Sequence, residues 1–209
     1  MADSQHSELI LGDIADIFMG ATVSVYSKSP IHGEPIVHLI TGSTLDNCGN
    51  IDKNSLVPVW KHKHNTNHFI AQSKDILVLA RGNIRATVID QDLSKEKILA
   101  SANFAIIRPT SPACNSTYIA ELFNSPKSRE RLGLVFGSRV PSLRAADLRR
   151  LKIPTLNLDQ HNAINELSSA RHEAYNATLA LAEQQFRVAS NVLDQIIWGA
   201  KWEIIQHSL

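Results

Sequence analysis

The sequence predicts an α+β protein: a mixed, β-rich domain with short helices over residues 1–156, then one long coiled-coil-forming helix over 157–209. Three observations predict it. Short apolar runs bounded by Gly, Pro, Asn and Asp fill the first hundred or so residues, the pattern of strands separated by turns. From Asn157 to His207 there is no proline, and Gly199 is the one glycine. The two regions also differ in charge, with 18 basic and 14 acidic residues before Asn157 against 3 and 6 from there on.

Each element follows from its residues. Ile10 to Ile17 opens the domain as an apolar run, broken at Gly20. Turn chemistry recurs at Ser29-Pro30, His32-Gly33 and Asp46 to Asn50. Asp75 to Ala80 is a continuous apolar run, fitting a buried strand that ends at Arg81-Gly82. Arg85 to Asp90 is a second strand after a Gly82-Asn83 turn, and Phe104 to Arg108 a third, closed by Pro109. Helical signals begin at Ser116, with Ile119, Leu122 and Phe123 on one face. Ser125-Pro126 is a cap followed by proline at the first helical position, opening a short helix that ends near Gly133. Ser138 to Ser142 reads as a loop and Ala145 to Leu151 as a short helix, and Ile153-Pro154 stops regular structure. Asn157-Leu-Asp-Gln160 then has capping-box spacing.

In the tail, apolar residues fall at Ala163, Leu167, Ala170, Ala174, Ala177 and Leu181, in steps of 4, 3, 4, 3, 4. Ala182, Phe186, Ala189, Leu193, Ile196 and Ala200 repeat those steps, shifted by one residue. This is a heptad-like seam with a change of register. About 45 residues of helix reach roughly 70 Å, too long to bury the seam against one ordinary domain. The helix needs a partner helix. Trp198 and Trp202, four apart, are packing anchors on it.

Composition and motifs limit the function. With 44% hydrophobic residues and near-balanced charge the chain is not a disordered one. No run approaches the ~18 apolar residues of a membrane span, and Met1 to His6 lacks the start of a secretory signal, so the expected compartment is the cytoplasm. Cys48 and Cys114 are too few for a disulfide framework or a four-ligand zinc site. No phosphate-binding glycine loop, dinucleotide fingerprint, His-Glu-x-x-His or nucleophile elbow occurs. The Asp/Glu-x-Lys triplet of metal-dependent nucleases and the Asp/Asn-Pro-Pro-aromatic tetrapeptide of amino-methyltransferases are also missing. Lys127 to Lys152 holds eight basic residues against Glu130 and Asp147, which suggests a surface facing a polyanion or a solvated basic helix face. Lys61 to His68 is rich in Lys, His and Asn. His64 and His68 have metal-like spacing but no acidic or cysteine partner nearby. The run reads either as a polar surface loop or as a nucleic-acid contact loop, in which Lys and His reach phosphates and Asn reads adenine edges.

Four segments, taken in order, resemble the specificity subunit of type I restriction-modification systems, in a half-length form with one target-recognition domain and one spacer helix. Leu11-Gly-Asp-Ile-Ala-Asp-Ile17, with Gly20 following, is similar to the family's opening strand. Lys74-Asp-Ile-Leu-Val-Leu-Ala-Arg-Gly82 is similar to its central strand and turn, with Lys74 where the family usually has glycine. Ala100 to Phe104, Ile106 to Pro109 and Tyr118 to Phe123 match its strand-to-helix passage. Gly137 to Leu143, Asp147 to Pro154 and Asp159-Gln160 resemble its closing loop, final strand and helix start, although Thr155 to Leu158 replaces the usual double proline.

The resemblance implies sequence-specific recognition of double-stranded DNA without catalysis by this chain. The implied partners are adenine methyltransferase subunits and a motor-nuclease subunit. S-adenosylmethionine, ATP and Mg would be bound by those subunits, and this chain would hold no cofactor or metal. The candidate DNA-binding residues are Lys61, Lys63, His64, Asn65, Arg81, Arg85, Ser138, Arg139 and Arg144; the resemblance implies that the loop after Gly137 lies near the DNA, where Arg139 either contacts phosphate or caps the preceding helix. Arg81 and Arg85 either read guanine bidentately or pair with Asp75 or Asp90. The expected partner-helix residues are Ala163, Leu167, Ala174, Leu181, Phe186, Leu193, Trp198 and Trp202, in a homodimer. A coiled-coil adaptor whose head binds protein is the competing reading. A diverged nuclease or methyltransferase is a third, and the missing motifs argue against it.

Overall fold

In a computed structural model of the chain, residues 7–30, 36–46, 48–61, 67–134 and 142–198 are described. The chain divides into two compact units, Met1–Ile164 and Asn165–Leu209. The first unit contains β1 (Glu8–Ile10), α1 (Leu11–Ile14), β2 (Ala15–Met19), β3 (Tyr26–Ser27), β4 (Ile36–Ile40), β5 (Val57–Lys61), β6 (Ile76–Leu79), β7 (Ala86–Val88), α2 (Gln91–Lys95), β8 (Ile98–Ala100) and β9 (Phe104–Pro109). After these come α3 (Ser116–Asn124), α4 (Pro126–Arg131), α5 (Ala145–Arg149), β10 (Lys152–Pro154) and the start of α6 (Leu158–Trp198). The β-rich head followed by a long helix is the predicted fold class.

Two four-stranded sheets make the head. One is the antiparallel sheet β2-β9-β6-β7, and the other is β3-β5-β4-β8, in which β4 and β8 run parallel. Successive strand residues face opposite sides, so the unbroken run Ile76–Leu79 serves two cores. Ile76, Val78, Ala105 and Ile107 face Ile119 and Phe123 of α3. Leu77, Leu79, Phe104 and Ile106 pack with Ile40 and Ile98 of the second sheet. A sheet covered on both faces needs apolar residues throughout, which is why this strand shows no alternation. Phe123 is fully buried, and truncating it to alanine would cost about 3–5 kcal/mol.

The backbone crosses from one sheet to the other at Gly20, where Gly20 N–H donates to Phe104 O at 2.9 Å and Ala21 N–H to Ala100 O at 2.7 Å. A Cβ on Gly20 would stand 2.3 Å from the Ser101 carbonyl oxygen, so the crossing requires glycine. At the open edge of the first sheet, the Asn124 side-chain amide donates to Ala86 O at 2.9 Å and accepts from Ala86 N–H at 2.7 Å. That amide pairs with β7 as a further strand would.

One sequence expectation is corrected. The opening apolar run is not one strand but strand, helical turn and strand. Leu11 and Ile14, three apart, both point into the core, and Leu11 N–H donates to Leu151 O at 2.9 Å. Regular structure does stop at Pro154, the end of the final strand of the head, and resumes only with α6. Residues Lys152–Pro154 form β10, which pairs antiparallel with β1, Glu8 opposite Pro154. Proline is tolerated there because the ladder has two strands and both are edges.

The helix α6 spans 41 residues. Its capping box is made in both directions, Asn157 N–H to the Gln160 side chain and Gln160 N–H to the Asn157 side chain, each at 2.9 Å. No residue of α6 is buried. Among the described residues, no helix is long and apolar enough to cross a membrane.

Candidate nucleic-acid interface

Arg81 and Arg144, 63 positions apart in sequence, belong to one local structure. Arg81 forms a bridge with Ser142, and Leu143 N–H donates to Ala80 O at 2.8 Å. Leu143 is buried and holds the segment down, while Arg81 and Arg144 on either side are exposed. Arg144 precedes α5, with its N–H directed at the Asp147 carboxylate at 3.3 Å. Gly82, at φ +82°, forms the tip of the Arg81 turn, and no atom lies within 4 Å of where its Cβ would be.

Next to this ridge, a cleft of about 780 Å³ is lined by Leu143, by the basic Arg131, Arg150 and Lys152 and by the acidic Glu8 and Asp147, among others. Lys152 pairs with Glu8 at 3.1 Å. Two other members of the basic window serve the fold. Arg129 donates to the Phe123 and Asn124 carbonyls at 2.7 and 3.1 Å, closing the C-terminus of α3. Arg149 donates to the Ile17 carbonyl. Exposed Lys127, Arg131, Arg144 and Arg150 supply the outward charge among the described residues.

Arg85 is placed differently from Arg81. It is half-buried, and its guanidinium donates to Asp46 O at 2.7 Å and Gly42 O at 3.3 Å, tying the 42–46 loop to β7. Asp75 is engaged by Arg108, and Asp90 caps α2 by accepting from Leu93 N–H at 2.7 Å. Lys61 closes β5 opposite Tyr26. Lys63, His64, Asn65, Ser138, Arg139 and Trp202 lie outside the described residues. Ala163, Leu167, Ala174, Leu181, Phe186, Leu193 and Trp198 all lie on α6 and are exposed, Phe186 by 74% and Trp198 by 84%.

One cluster was not anticipated from the sequence. The Asp75 side chain is 1% exposed and accepts from Arg108 Nε at 2.9 Å and Nη2 at 2.7 Å. Arg108 also donates to Ile70 O at 3.1 Å and lies 5.3 Å from the Phe18 ring centroid. The ring of His68 stacks on Phe18 at 3.9 Å between centroids. Arg108, Phe18 and His68 together anchor the chain where it leaves the His-rich run. The available signal was charge: an Arg and an Asp, each bounding an apolar strand, are the groups that a buried pair would use.

No known family profile and no curated protein matches the sequence. Solved structures do match. The HsdS subunit from Thermoanaerobacter tengcongensis superposes with a TM-score of 0.54 at 16% identity, covering 95% of this chain and 46% of that one. The S subunit of a type I restriction-modification system from M. genitalium gives 0.57 at 14% identity, covering 99% and 50%. A chain from a structure describing assembly and conformational transition of the type I restriction-modification system gives 0.57 at 16%, covering 93% and 46%. The chain thus has the fold of half of such a subunit, and it spans about half of their length.

Proposed function

We propose that this chain is the DNA specificity subunit, in half-length form, of a type I restriction-modification complex. In this reading residues 1–156 recognise double-stranded DNA, and residues 157–209 form the spacer and dimerisation helix. The observation that carries it is the match of nearly the whole chain, head and helix together, to half of each S subunit. The exposed Arg81 and Arg144, held together by the Arg81–Ser142 bridge, support DNA contact, with Lys63, His64, Asn65, Ser138 and Arg139 as further contacts on the sequence reading. Adenine methyltransferase and motor-nuclease subunits supply the chemistry and bind S-adenosylmethionine, ATP and Mg. This chain supplies position.

The seam of α6 supports an antiparallel homodimer, because its spacing reads the same in both directions. If Leu181 of one copy meets Ala182 of the other, then Ala177 meets Phe186, Ala174 meets Ala189, Ala170 meets Leu193, Leu167 meets Ile196 and Ala163 meets Ala200. Phe186 and Leu193 fall opposite alanines, so large fills small, as close packing requires. A parallel pair would set Phe186 against Phe186. Twofold symmetry in the reader imposes an interrupted palindrome on the target. The test is to treat DNA with this chain plus its methylation subunit and to sequence for modified adenines. A bipartite palindromic site with a fixed spacer is expected. Duplex affinity that does not change with salt, with no methylation, would favour the protein-binding adaptor instead.

A further inference from the structure

The run from Lys61 ends on a side chain whose polar atoms the fold does not use. His68 is exposed, and among the described residues no hydrogen bond or ion pair engages its ring nitrogens. The ring is nevertheless held in place. It stacks on Phe18 at 3.9 Å between centroids, with the planes 31° apart, and meets Phe69 edge-on at 5.4 Å.

Both sheets of the head contribute to that support. Phe18 belongs to β2 and lies opposite Ile106 of β9, so the stacking partner sits within a hydrogen-bonded sheet. Arg108, 5.3 Å from the Phe18 ring centroid, is itself fixed by the buried Asp75 carboxylate and donates to Ile70 O at 3.1 Å. The helical turn Asn67–Phe69 closes with Ile70 N–H donating to Asn67 O at 3.2 Å. From the other side, Ile70 bridges to Leu99 and Ala71 N–H donates to Ile98 O at 2.8 Å. The backbone on either side of the His68 ring is thus clamped between the sheets. Fixing a surface side chain costs rotamer freedom. A fixed ring with free nitrogens is the arrangement a binding contact needs, because its rotamer is set before the ligand arrives.

The ring also suits one kind of contact. A neutral imidazole offers one N–H donor and one nitrogen acceptor. Base edges in the major groove present donors and acceptors in a pattern that differs for each base pair, whereas phosphates present acceptors alone and are served by lysine and arginine.

We propose, resting on the DNA-recognition reading above, that His68 is a base-reading residue, with one ring nitrogen hydrogen-bonded to a base edge in the major groove. Phe18, Arg108 and Asp75 are its positioning residues.

The test uses the full chain with its methylation subunit on a randomised duplex library, and the bound duplexes are sequenced. His68→Phe keeps a ring to stack on Phe18 and removes both nitrogens. Preference at one base position of the selected motif should fall by about tenfold, the scale of one well-placed polar contact to a base. The salt slope of binding should match the parent's, since no phosphate contact is lost, and so should the unfolding midpoint of the head. Phe18→Leu keeps the imidazole and removes its platform, and should relax the same position by a smaller factor. An unchanged motif in His68→Phe overturns the inference and leaves DNA recognition standing. A salt slope lowered by about 0.9 with the motif intact would make His68 a phosphate contact and overturn it as well. A parent complex that selects no duplex overturns both readings.

Discussion

Replacing Asp75 by asparagine removes the counter-charge of Arg108 while keeping the side chain's shape. The carboxylate accepts from Arg108 Nε and Nη2 and also from Gln72 N–H at 2.8 Å. Asparagine has one acceptor oxygen, and Arg108 bonds both carboxylate oxygens, so its NH₂ must face the guanidinium in either orientation, donor against donor. Breaking a buried pair costs about 3–5 kcal/mol. Arg108 keeps 19% exposure, and water can relieve part of its charge, which places the cost near the lower end, about 3 kcal/mol. For a chain of this size each kcal/mol lowers Tm by about 2–4 °C, so a drop of roughly 6–12 °C is expected in calorimetry. Because Arg108 also holds Ile70 O, amide exchange at Asn67–Ile70 should accelerate. The double variant Asp75→Leu, Arg108→Met should lose less than Asp75→Asn alone, since no unpaired charge is left behind. An Asp75→Asn variant within about 1 kcal/mol of the parent would refute the reasoning, because the pair would then behave like one at the surface.

Lys74 sits at φ +73°, in the left-handed region, and Lys74→Gly should stabilise the head by about 1 kcal/mol; a lowered Tm would count against this. Cys48 is exposed and Cys114 buried, so maleimide at neutral pH should label one thiol in the native chain and two after unfolding, and two in the native chain would contradict the packing. Burial pushes the Cys114 thiol up to about 11 and the Tyr118 phenol up to about 12, from ordinary values of 9.0 and 10.0. The unfolded chain therefore releases these protons first, so stability holds below pH 9 and falls as pH climbs from 9 toward 12; an unfolding midpoint flat to pH 11 would be inconsistent with both groups being buried. Arg81→Ala and Arg144→Ala should each lower the salt slope of duplex binding by about 0.9, whereas Arg85→Ala should lower the unfolding midpoint and leave that slope unchanged.

Most of the head's core was readable in the sequence because it obeys local rules. The unbroken run Ile76–Leu79 demanded burial on both faces, and Ser125-Pro126 fixed the start of α4. The parts that were not readable depend on distant pairing. Leu11 and Gly12 leave the strand pattern where Leu151 and Arg149 meet them from the far end of the head. Pro154 does end the strand, but that β10 pairs with β1 at the other end of the head is not visible in either segment. The same limit applies to the site. Arg81 and Arg85 are equivalent by sequence, yet one faces outward and the other ties down the 42–46 loop through carbonyl oxygens that no side-chain pattern reveals. Lys74 is the reverse case, since its departure from the expected glycine was visible in the sequence and its positive φ gives the reason glycine would suit that position.

The pairing of β1 with β10 sets a schedule for synthesis. Glu8–Ile10 is synthesised well before its partner Lys152–Pro154, the last described strand of the head. Until residue 154 emerges, β1 has no ladder, and Leu11 N–H has no acceptor at Leu151. The closing contact is thus of the longest range the head allows, the kind that slows folding.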